Sequence, residues 1–366
     1  MNQAQANLGP AFRAPRVIVA NSPDQALVDG LYWLKVAGEI NDSRNGRVLV
    51  APAPVITTYS HPRQRVIMNA KRDANPFFHL FESLWMLAGR NEVAMVSNFA
   101  KQMEAFADDG LQWGAYGYRW RKHFGFDQLL EVIDQLRSDP KTRRAVVTMW
   151  GPVGDMIPGV AGIGGKTAKD VPCNTQIYFD GTRGHLDMTV LNRSNDVVWG
   201  AYGANVVHMS MLHEFVAGAI RMPLGVYHQF SNNYHAYIDR PDVQRLIDTS
   251  THSRDGWSVK IVDDSVYDIE VSPYPIISHI DDPLEWLRQC EAFVTDPLGE
   301  SNDFTLPFFS EVAVPMMRLH ARYKAGDDIQ TLWEDCPEIA AQDWVWACQT
   351  WFDNRGKARA AKAAAK

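Results

Sequence analysis

Residues 171–193 read VPCNTQIYFDGTRGHLDMTVLNR, and this stretch sets the pattern from which the rest of the chain is interpreted. Apolar side chains alternate on both sides of the turn Asp180-Gly181-Thr182-Arg183-Gly184, which predicts a β-hairpin. Because a hairpin brings its two ends together, Cys173 at the mouth of one strand should lie beside Arg193 and Ser194 at the end of the other. A thiol next to arginines has a lowered pKa and is a competent nucleophile, so the sequence predicts a nucleophile beside an anion site.

The bulk composition is that of a globular protein with a large core. The chain has 366 residues, of which 46% are hydrophobic and 22% charged. Without a linker or an internal repeat, we expect a single domain over residues 1–366, with an inserted loop at 151–170 and a divergent C-terminal region from about residue 240. The net charge of −7 argues against a general nucleic-acid binder but leaves room for one small phosphorylated ligand.

Cysteine usage indicates a reducing compartment and no metal. The four cysteines show neither the density of a disulfide scaffold nor a zinc-like spacing. We therefore expect a cytoplasmic protein, in the host cytoplasm if the sequence is viral. The N-terminus lacks the apolar run of a signal peptide, and no window approaches the roughly 18 apolar residues of a membrane helix.

Periodicity predicts alternating helices and strands. Helices are expected at residues 26–37, 77–88, 126–136, 206–220, 243–247, 283–294 and 340–352, and strands at 48–58, 145–150, 227–237 and 257–272. The glycine-rich stretch 151–170 has no period and is expected to be a loop. Its end superficially resembles a nucleotide-triphosphate loop, but Val160 stands where the first glycine is required, so we do not expect that site.

Several polar residues stand out against this background. Glu82 lies within a strongly apolar helix, where an unpaired buried carboxylate would cost several kcal/mol. The segment at residues 112–121, QWGAYGYRWR, contains Tyr116 and is expected to be a loop in which arginines stack on aromatic rings. Arg143 and Arg144 precede a buried strand and suit an anion or an acidic partner surface.

From about residue 39 to 237 the chain resembles the thymidylate synthase and pyrimidine-nucleotide hydroxymethylase family. The resemblance is specific because separate motifs occur in the family's order: Arg44, Glu82-Ser83-Leu84-Trp85, Tyr116-Gly117-Tyr118-Arg119-Trp120-Arg121, Arg143-Arg144, Pro172-Cys173, Arg193-Ser194-Asn195-Asp196 with Gly200 and Asn205, and His235-Ala236-Tyr237. It implies an α/β (α+β) fold with a large mixed β-sheet flanked by helices, one face of the sheet forming the interface of a homodimer.

The resemblance also implies a mechanism. Cys173 would add to C6 of a pyrimidine nucleoside monophosphate and make C5 nucleophilic toward the one-carbon unit of 5,10-methylenetetrahydrofolate, used as a co-substrate. Glu82, through water, and Tyr116 would handle protons, including loss of the C5 proton.

Phosphate recognition is implied for five residues. Arg44, Arg193 and Ser194 would hold the phosphate of their own subunit. The residues matching Arg143 and Arg144 reach the phosphate of the other subunit in this family, so the site would be shared across a symmetric dimer.

The remaining roles concern the sugar, the folate and the base. His235 and Tyr237 would bind the sugar hydroxyl, and Asp196 the folate ring. Asn205 would bind the polar edge of the base and favours uracil, because its amide can accept from N3–H and donate to O4. An ungapped count would instead put Ala204 at the base, so cytosine and a ribonucleotide remain alternatives.

Three departures from the synthases favour a hydroxymethyl product. Asn174 replaces the histidine that follows the nucleophile, Met103 or Glu104 stands where a shielding tryptophan is usual, and the C-terminal residues are rich in Ala and Lys. Water should then reach the C5 methylene. The alternatives are a thymidylate synthase proper, which makes a methyl group, and a catalytically silent nucleotide- or RNA-binding relative, against which the joint presence of Cys173 and Glu82 argues.

Overall fold

The predicted hairpin is present in the computed structural model, which describes residues 14–157, 168–250, 271–299 and 303–364. Its strands are β6 (Asn174–Asp180) and β7 (Leu186–Asn192). They pair antiparallel, with Ile177 opposite Val190, and a bulge shifts the register between Asn174 and Gln176. The alternating pattern therefore predicted both strands and their pairing.

The hairpin belongs to a mixed sheet of six strands in the order β1-β4-β9-β7-β6-β5. Its other strands are β1 (Arg16–Ala20), β4 (Val55–Tyr59), β5 (Val146–Thr148) and β9 (Leu224–Ser231). The pairs β1–β4 and β7–β9 are parallel, and the other three are antiparallel. The predicted large mixed sheet is confirmed.

A second sheet of four strands was not expected. It has the order β2-β3-β10-β8 and consists of β2 (Glu39–Ser43), β3 (Gly46–Val50), β8 (Asn195–Asp196) and β10 (Tyr234–Tyr237). Two predictions are corrected by it. The polar loop around Arg44 is a tight hairpin between β2 and β3, and the strand predicted at 227–237 is two strands in different sheets, because the chain turns at Asn232 and Asn233.

The α-helices occur largely where the periodicity predicts them. They are α1 (Pro23–Ala37), α2 (Pro76–Leu87), α3 (Val93–Ser97), α4 (Tyr116–Tyr118), α5 (Gln128–Ser138), α6 (Pro152–Met156), α7 (Ala204–Ala219), α8 (Pro241–Thr249), α9 (Pro283–Thr295), α10 (Val314–Ala325), α11 (Ile329–Asp335) and α12 (Gln342–Ala364). Short 3₁₀ segments span Lys101–Phe106 and Cys336–Glu338, and π segments span Arg119–His123, Val197–Ala201 and Phe308–Ala313.

Two predicted loops contain helices. The Tyr116 segment forms α4 and continues as a π segment, and the stretch predicted as a loop at 151–170 begins with α6. The glycines of that stretch that resemble a phosphate loop lie outside the described residues, as does most of the strand predicted at 257–272.

Helix α2 is the centre of the helical layer, and every one of its residues is buried. Pro76 starts it, and the Asn75 side chain caps it by accepting from the Phe78 amide. Helices α7, α9, α10 and α12 pack on it, so the C-terminal region is built onto this helix. One continuous hydrophobic cluster runs from Ile18 to Phe352. In the part of the chain that the structure describes, no helix combines the length and the apolarity needed to span a membrane.

One face of the six-stranded sheet is packed on helices and the other is open. A buried row crosses the sheet through Ile18, Thr57, Gln229, Val190, Ile177 and Val147. On the opposite face, every member of two neighbouring rows is half-buried or exposed. These rows are Val17, Ile56, Phe230, Leu191, Gln176 and Thr148, and Val19, Thr58, His228, Thr189, Tyr178 and Val146.

The contact between α4 and α2 depends on a glycine. A Cβ at Gly117 would lie 1.8 Å from the backbone oxygen of Met86. Gly117→Ala should therefore push α4 off α2 and lower the free energy of unfolding by about 1–3 kcal/mol, the usual cost of overpacking. Chemical denaturation measures the change. The matched control is Gly356→Ala in α12, where the added Cβ would meet nothing closer than 3.5 Å. This substitution should leave the free energy of unfolding unchanged or raise it. Equal stability of the two variants would contradict this account.

Candidate active site

The predicted nucleophile and its neighbouring arginine are aligned by the hairpin. Cys173 precedes β6 and Arg193 follows β7, and the Arg193 amide donates to the Cys173 carbonyl over 2.9 Å. The guanidinium donates to the carbonyl oxygens of Pro172 and Val171, both at 2.9 Å, and lies 3.8 Å from the Cys173 sulfur. It also stacks over Trp150, with 5.5 Å to the ring centre. The predicted juxtaposition of thiol and arginine is confirmed.

The prediction of a lowered thiol pKa is wrong. Burial raises the pKa of the Cys173 thiol above its usual value and outweighs the opposing charges of Arg193 and Arg44. The carboxylates of Asp170 and Asp196 raise it further. The neighbouring arginines are visible in the sequence, whereas the desolvation that favours the neutral form of the thiol arises only in the folded protein. At neutral pH the resting side chain is therefore a thiol.

Asp170 is a site residue that sequence reasoning missed. It lies three positions before the nucleophile, and burial raises the pKa of its carboxyl against the charges of Arg119, Arg193 and Arg44. Its side chain packs on Gly114, where a Cβ would come within 2.4 Å of Oδ2. Its proximity to Cys173 in the sequence was the available signal, but it closes a stretch that was interpreted as a featureless loop.

Tyr116 is held beside the nucleophile by α4. Its phenol hydrogen-bonds with the backbone of Asn174, and burial raises its pKa well above the usual value, helped by the charges of Cys173 and Asp170. The segment that carries it is anchored by a fully buried ion pair of Arg119 and Asp155 at 2.7 Å. Tyr116 therefore keeps its proton, and its phenol can donate a hydrogen bond as well as accept one.

Asn174 has an unusual environment for an amide side chain. It is fully buried, and neither Nδ2 nor Oδ1 has a hydrogen-bond partner among the described residues. Since an unpaired buried amide is costly, such a group is expected to bind a water molecule or a ligand.

Glu82 pairs with a histidine that the sequence did not single out. Glu82 Oε2 lies 2.9 Å from His208 Nε2, and the two side chains are 5% and 1% exposed. Nothing in the sequence around His208 distinguishes it from an ordinary packing or surface histidine. It lies one turn after Asn205 on α7 and thus on the same face of that helix. The two buried groups lie side by side without hydrogen-bond geometry, so Glu82 Oε2 and both ring nitrogens of His208 have no hydrogen-bond partner among the described residues.

The second sheet brings together the residues predicted for sugar and folate. Asp196 in β8 and His235 in β10 are paired neighbours. Asn233 Oδ1 lies 2.8 Å from His235 Nδ1 and accepts a hydrogen bond from the N–H group there, which leaves Nε2 for another partner. Burial lowers the pKa of His235, so the ring is neutral. The Tyr237 ring stands perpendicular to it at 5.3 Å.

Two groups of predicted phosphate ligands differ in position. Arg44, in the turn between β2 and β3, reaches to 3.4 Å from the Lys169 carbonyl and so approaches the segment before Cys173; Ser194 directly follows Arg193. Arg143 and Arg144 lie at the far end of the sheet. The next residue, Ala145, accepts at its carbonyl a hydrogen bond from the Phe179 amide, and Phe179 is six residues along β6 from Cys173. At roughly 3.3 Å per residue they are about 20 Å from Cys173 of the same chain.

A concavity of about 620 Å³ joins this site to the open sheet face. Its lining includes Arg193 and Trp150 from the site and Thr148 and Gln176 from the open rows. Among the described residues, no cluster of His, Cys, Asp or Glu side chains could hold a metal ion.

Comparison with known proteins identifies the family. The thymidylate synthase family model matches residues 41–283. A deoxyuridylate hydroxymethyltransferase of Pseudomonas phage M6 is 42% identical over 95% of this chain and 97% of that protein. A second protein of that name, from Bacillus phage SP01, is 34% identical over 60% of this chain and 58% of that protein. The crystal structure of thymidylate synthase from T4 phage superposes with a TM-score of 0.51 at 20% identity, covering 72% of this chain and 89% of that one.

The chain belongs to the thymidylate synthase family. The family and the fold predicted from the motifs are confirmed, and the names of the relatives agree with the predicted one-carbon transfer.

The charges around Cys173 give opposite expectations for two substitutions. Asp170→Asn removes a negative charge that raises the thiol pKa, so alkylation by iodoacetamide should shift to lower pH. Arg193→Gln removes the main opposing charge and should shift alkylation to higher pH. The rate is followed by mass spectrometry of the ligand-free protein. Cys290, Cys336 and Cys348 are buried, so Cys173→Ala should take up no reagent on this timescale. If both substitutions shifted the pH dependence of alkylation in the same direction, the opposite effects assigned to Asp170 and Arg193 would be contradicted.

Proposed function

We propose that the protein transfers the one-carbon unit of 5,10-methylenetetrahydrofolate to C5 of deoxyuridine monophosphate (dUMP) and completes the reaction with water, giving a 5-hydroxymethyl group. The observation that carries the proposal is the alignment of Cys173 with Arg193 by a backbone hydrogen bond, within the fold of the family. The name of the M6 phage relative, which is similar over nearly its whole length, supports the choice of substrate and product.

Cys173 is the proposed nucleophile toward C6 of the base. Because its resting form is a thiol, the attack requires transfer of the thiol proton to water as the sulfur–carbon bond forms and the C5=C6 electron pair moves toward O4 of the base. The guanidinium of Arg193, 3.8 Å from the sulfur, would stabilise the charge that develops there. Arg193, Ser194 and Arg44 together would bind the 5′-phosphate. Tyr116, whose phenol stays protonated, would donate a hydrogen bond to the substrate atoms next to the Cys173 thiol.

His235 and Asp196 would bind the sugar and the folate. The free Nε2 of His235 and the neighbouring Tyr237 suit the sugar hydroxyl. Asp196 fits a pterin ring, because its Oδ2 is buried without a hydrogen-bond partner among the described residues and can accept from ring N–H groups. The folate would supply the one-carbon unit at the oxidation level of formaldehyde.

The hydroxymethyl product is favoured by the groups that can hold water. Asn174 offers a buried amide with both polar atoms free, where a synthase has a histidine. Glu82, with Oε2 at 2.9 Å from His208 Nε2, would accept a proton from water as the water oxygen bonds to the C5 methylene. Both groups belong to the protein interior, so they would position water and not merely admit it.

The active unit is proposed to be a homodimer formed through the open face of the six-stranded sheet. That face exposes apolar side chains such as Val17 at 54% and Val19 at 67%, which a partner copy would cover. The concavity beside Arg193 opens onto this face, and Arg143 and Arg144 are too far from their own Cys173 to serve it. Arginines of the partner would therefore complete the phosphate site.

The four cysteines are free, as a cytoplasmic protein requires, and a phage protein would work in the cytoplasm of its host.

The product assay tests the proposed reaction. The protein is incubated with methylenetetrahydrofolate and each of dUMP, dCMP and CMP, while C5-proton release, product mass and dihydrofolate absorbance are followed together. A product 30 mass units heavier than dUMP, which is the mass of an added CH₂O, should appear without dihydrofolate. Cys173→Ala should abolish turnover and still bind dUMP. A methyl product with dihydrofolate would show a synthase, and near-native activity of Cys173→Ala would refute the mechanism.

Subunit complementation tests the shared site. Cys173→Ala and the double variant Arg143→Ala, Arg144→Ala should each be nearly inactive as pure proteins. Mixed and allowed to exchange subunits, they should regain activity, because one site of each mixed dimer has an intact thiol and intact partner arginines. Size-exclusion chromatography checks that both variants remain dimers. Absence of recovery in a proven mixed dimer would refute sharing.

A further inference from the structure

We propose that Asn195 and Gln229 are specificity-determining positioning residues that fix the orientation of the Asn205 amide, so that it accepts uracil and rejects cytosine. This inference rests on the proposed function and on the role that the family resemblance implies for Asn205, which is to bind the polar edge of the base. Neither Asn195 nor Gln229 needs to touch the nucleotide. They act through a relay of three amide side chains whose direction is set by one backbone carbonyl.

The relay starts at the Ala201 carbonyl, which can only accept hydrogen bonds. Gln229 Nε2 donates to it over 3.0 Å, and the Tyr59 hydroxyl donates to it over 3.2 Å. The nitrogen end of Gln229 is therefore the end that faces Ala201. Its oxygen must face the other way, toward Asn195.

Asn195 transmits this direction. Its Nδ2 donates to Gln229 Oε1 over 2.9 Å and to Ser231 Oγ over 3.0 Å, so both N–H groups of that amide are used. Its Oδ1 is left to face Asn205, whose Nδ2 donates to it over 3.3 Å. The orientation of each amide follows from that of its neighbour, starting at the Ala201 carbonyl. It therefore does not depend on how the oxygen and nitrogen of any single amide are assigned.

Reversing the relay would be costly. Asn195 and Gln229 are each 1% exposed, so no solvent can replace a lost hydrogen bond. Turning over the Asn205 amide alone would set two oxygens against each other. Turning over all three amides would set Gln229 Oε1 against the Ala201 carbonyl.

Packing reinforces the arrangement. A Cβ at Gly200 would lie 2.5 Å from Asn195 Oδ1 and 3.0 Å from Asn205 Nδ2. The two amides are thus packed closely against Gly200, where any side chain would clash with them. The amide in the relay belongs to Asn205, which lies one position beyond Ala204, the residue that an ungapped count against the family would place at the base.

The fixed orientation matches one base. With one N–H turned to Asn195, the Asn205 amide keeps its oxygen and its second N–H side by side for a ligand. Uracil presents N3–H as a donor next to O4 as an acceptor, which pairs with that edge in two hydrogen bonds. Cytosine presents N3 as an acceptor next to an amino donor, so it would face oxygen with a lone pair and N–H with N–H.

The experiment compares the affinities of dUMP and deoxycytidine monophosphate (dCMP), measured by titration calorimetry without folate. Gln229→Met removes the anchor with little change of volume, and Asn195→Ala removes the middle link. Each should move the dUMP-to-dCMP affinity ratio toward dCMP by about tenfold or more, since the Asn205 amide is then free to turn over. The matched control is Gln289→Met, the same substitution at a buried glutamine of α9 that bonds to Thr305 and should leave the ratio unchanged.

The outcomes separate this inference from the proposed function. A wild-type protein that prefers dUMP, with Gln229→Met and Asn195→Ala both keeping that preference, would overturn the relay while leaving the reaction intact. A wild-type protein that binds neither nucleotide would overturn the proposed function itself. Two positioning variants are used so that failure of one to fold leaves the test in place. A shift equal to that of Gln289→Met would also refute the relay, because it would show a general effect of core disturbance.

Discussion

The hydrogen bond from the Arg193 amide to the Cys173 carbonyl is the contact on which the rest of the site depends. It closes the open end of the β6–β7 hairpin and so fixes the distance between a thiol and a guanidinium that are twenty residues apart. Strand β8 follows at once from this point and carries Asn195 and Asp196 into the second sheet. A shift of one residue in the pairing would turn every side chain of β6 to the opposite face and would separate these groups.

Burial shapes the chemistry of the site more than any single charge. Desolvation keeps the Cys173 thiol and the Tyr116 phenol protonated, and it raises the pKa of Asp170. Glu82 lies in an otherwise apolar helix, with His208 Nε2 of α7 at 2.9 Å from its Oε2. Such pairings cost stability compared with a purely apolar interior, and they are typical of places where protons must move.

How far the sequence could predict the structure depended on the range of the interaction. The hairpin and seven of the helices follow from local periodicity and were predicted to within a few residues, except that α12 extends to Ala364 instead of ending at Phe352; α10 and α11 were not predicted. The split at Asn232 and Asn233 was missed, because a continuous polar and aromatic run gives no local sign that its two halves join different sheets. Helix α4 was missed because glycines and aromatic residues are typical of loops, whereas here Gly117 permits close contact with α2. His208 and Asp170 were missed because their roles arise from contacts or burial that the chain order does not show.

The open sheet face and the site share strand β6, in which Gln176 faces outward while Asn174 is buried beside the nucleophile. The proposed completion of the phosphate site by a second copy would make assembly and ligand binding reciprocal through thermodynamic linkage: the nucleotide would tighten the dimer by the same factor by which dimerisation would tighten nucleotide binding. Mass action then imposes a concentration threshold. Newly made chains would remain idle until either their own concentration or that of their substrate became high enough to join them in pairs.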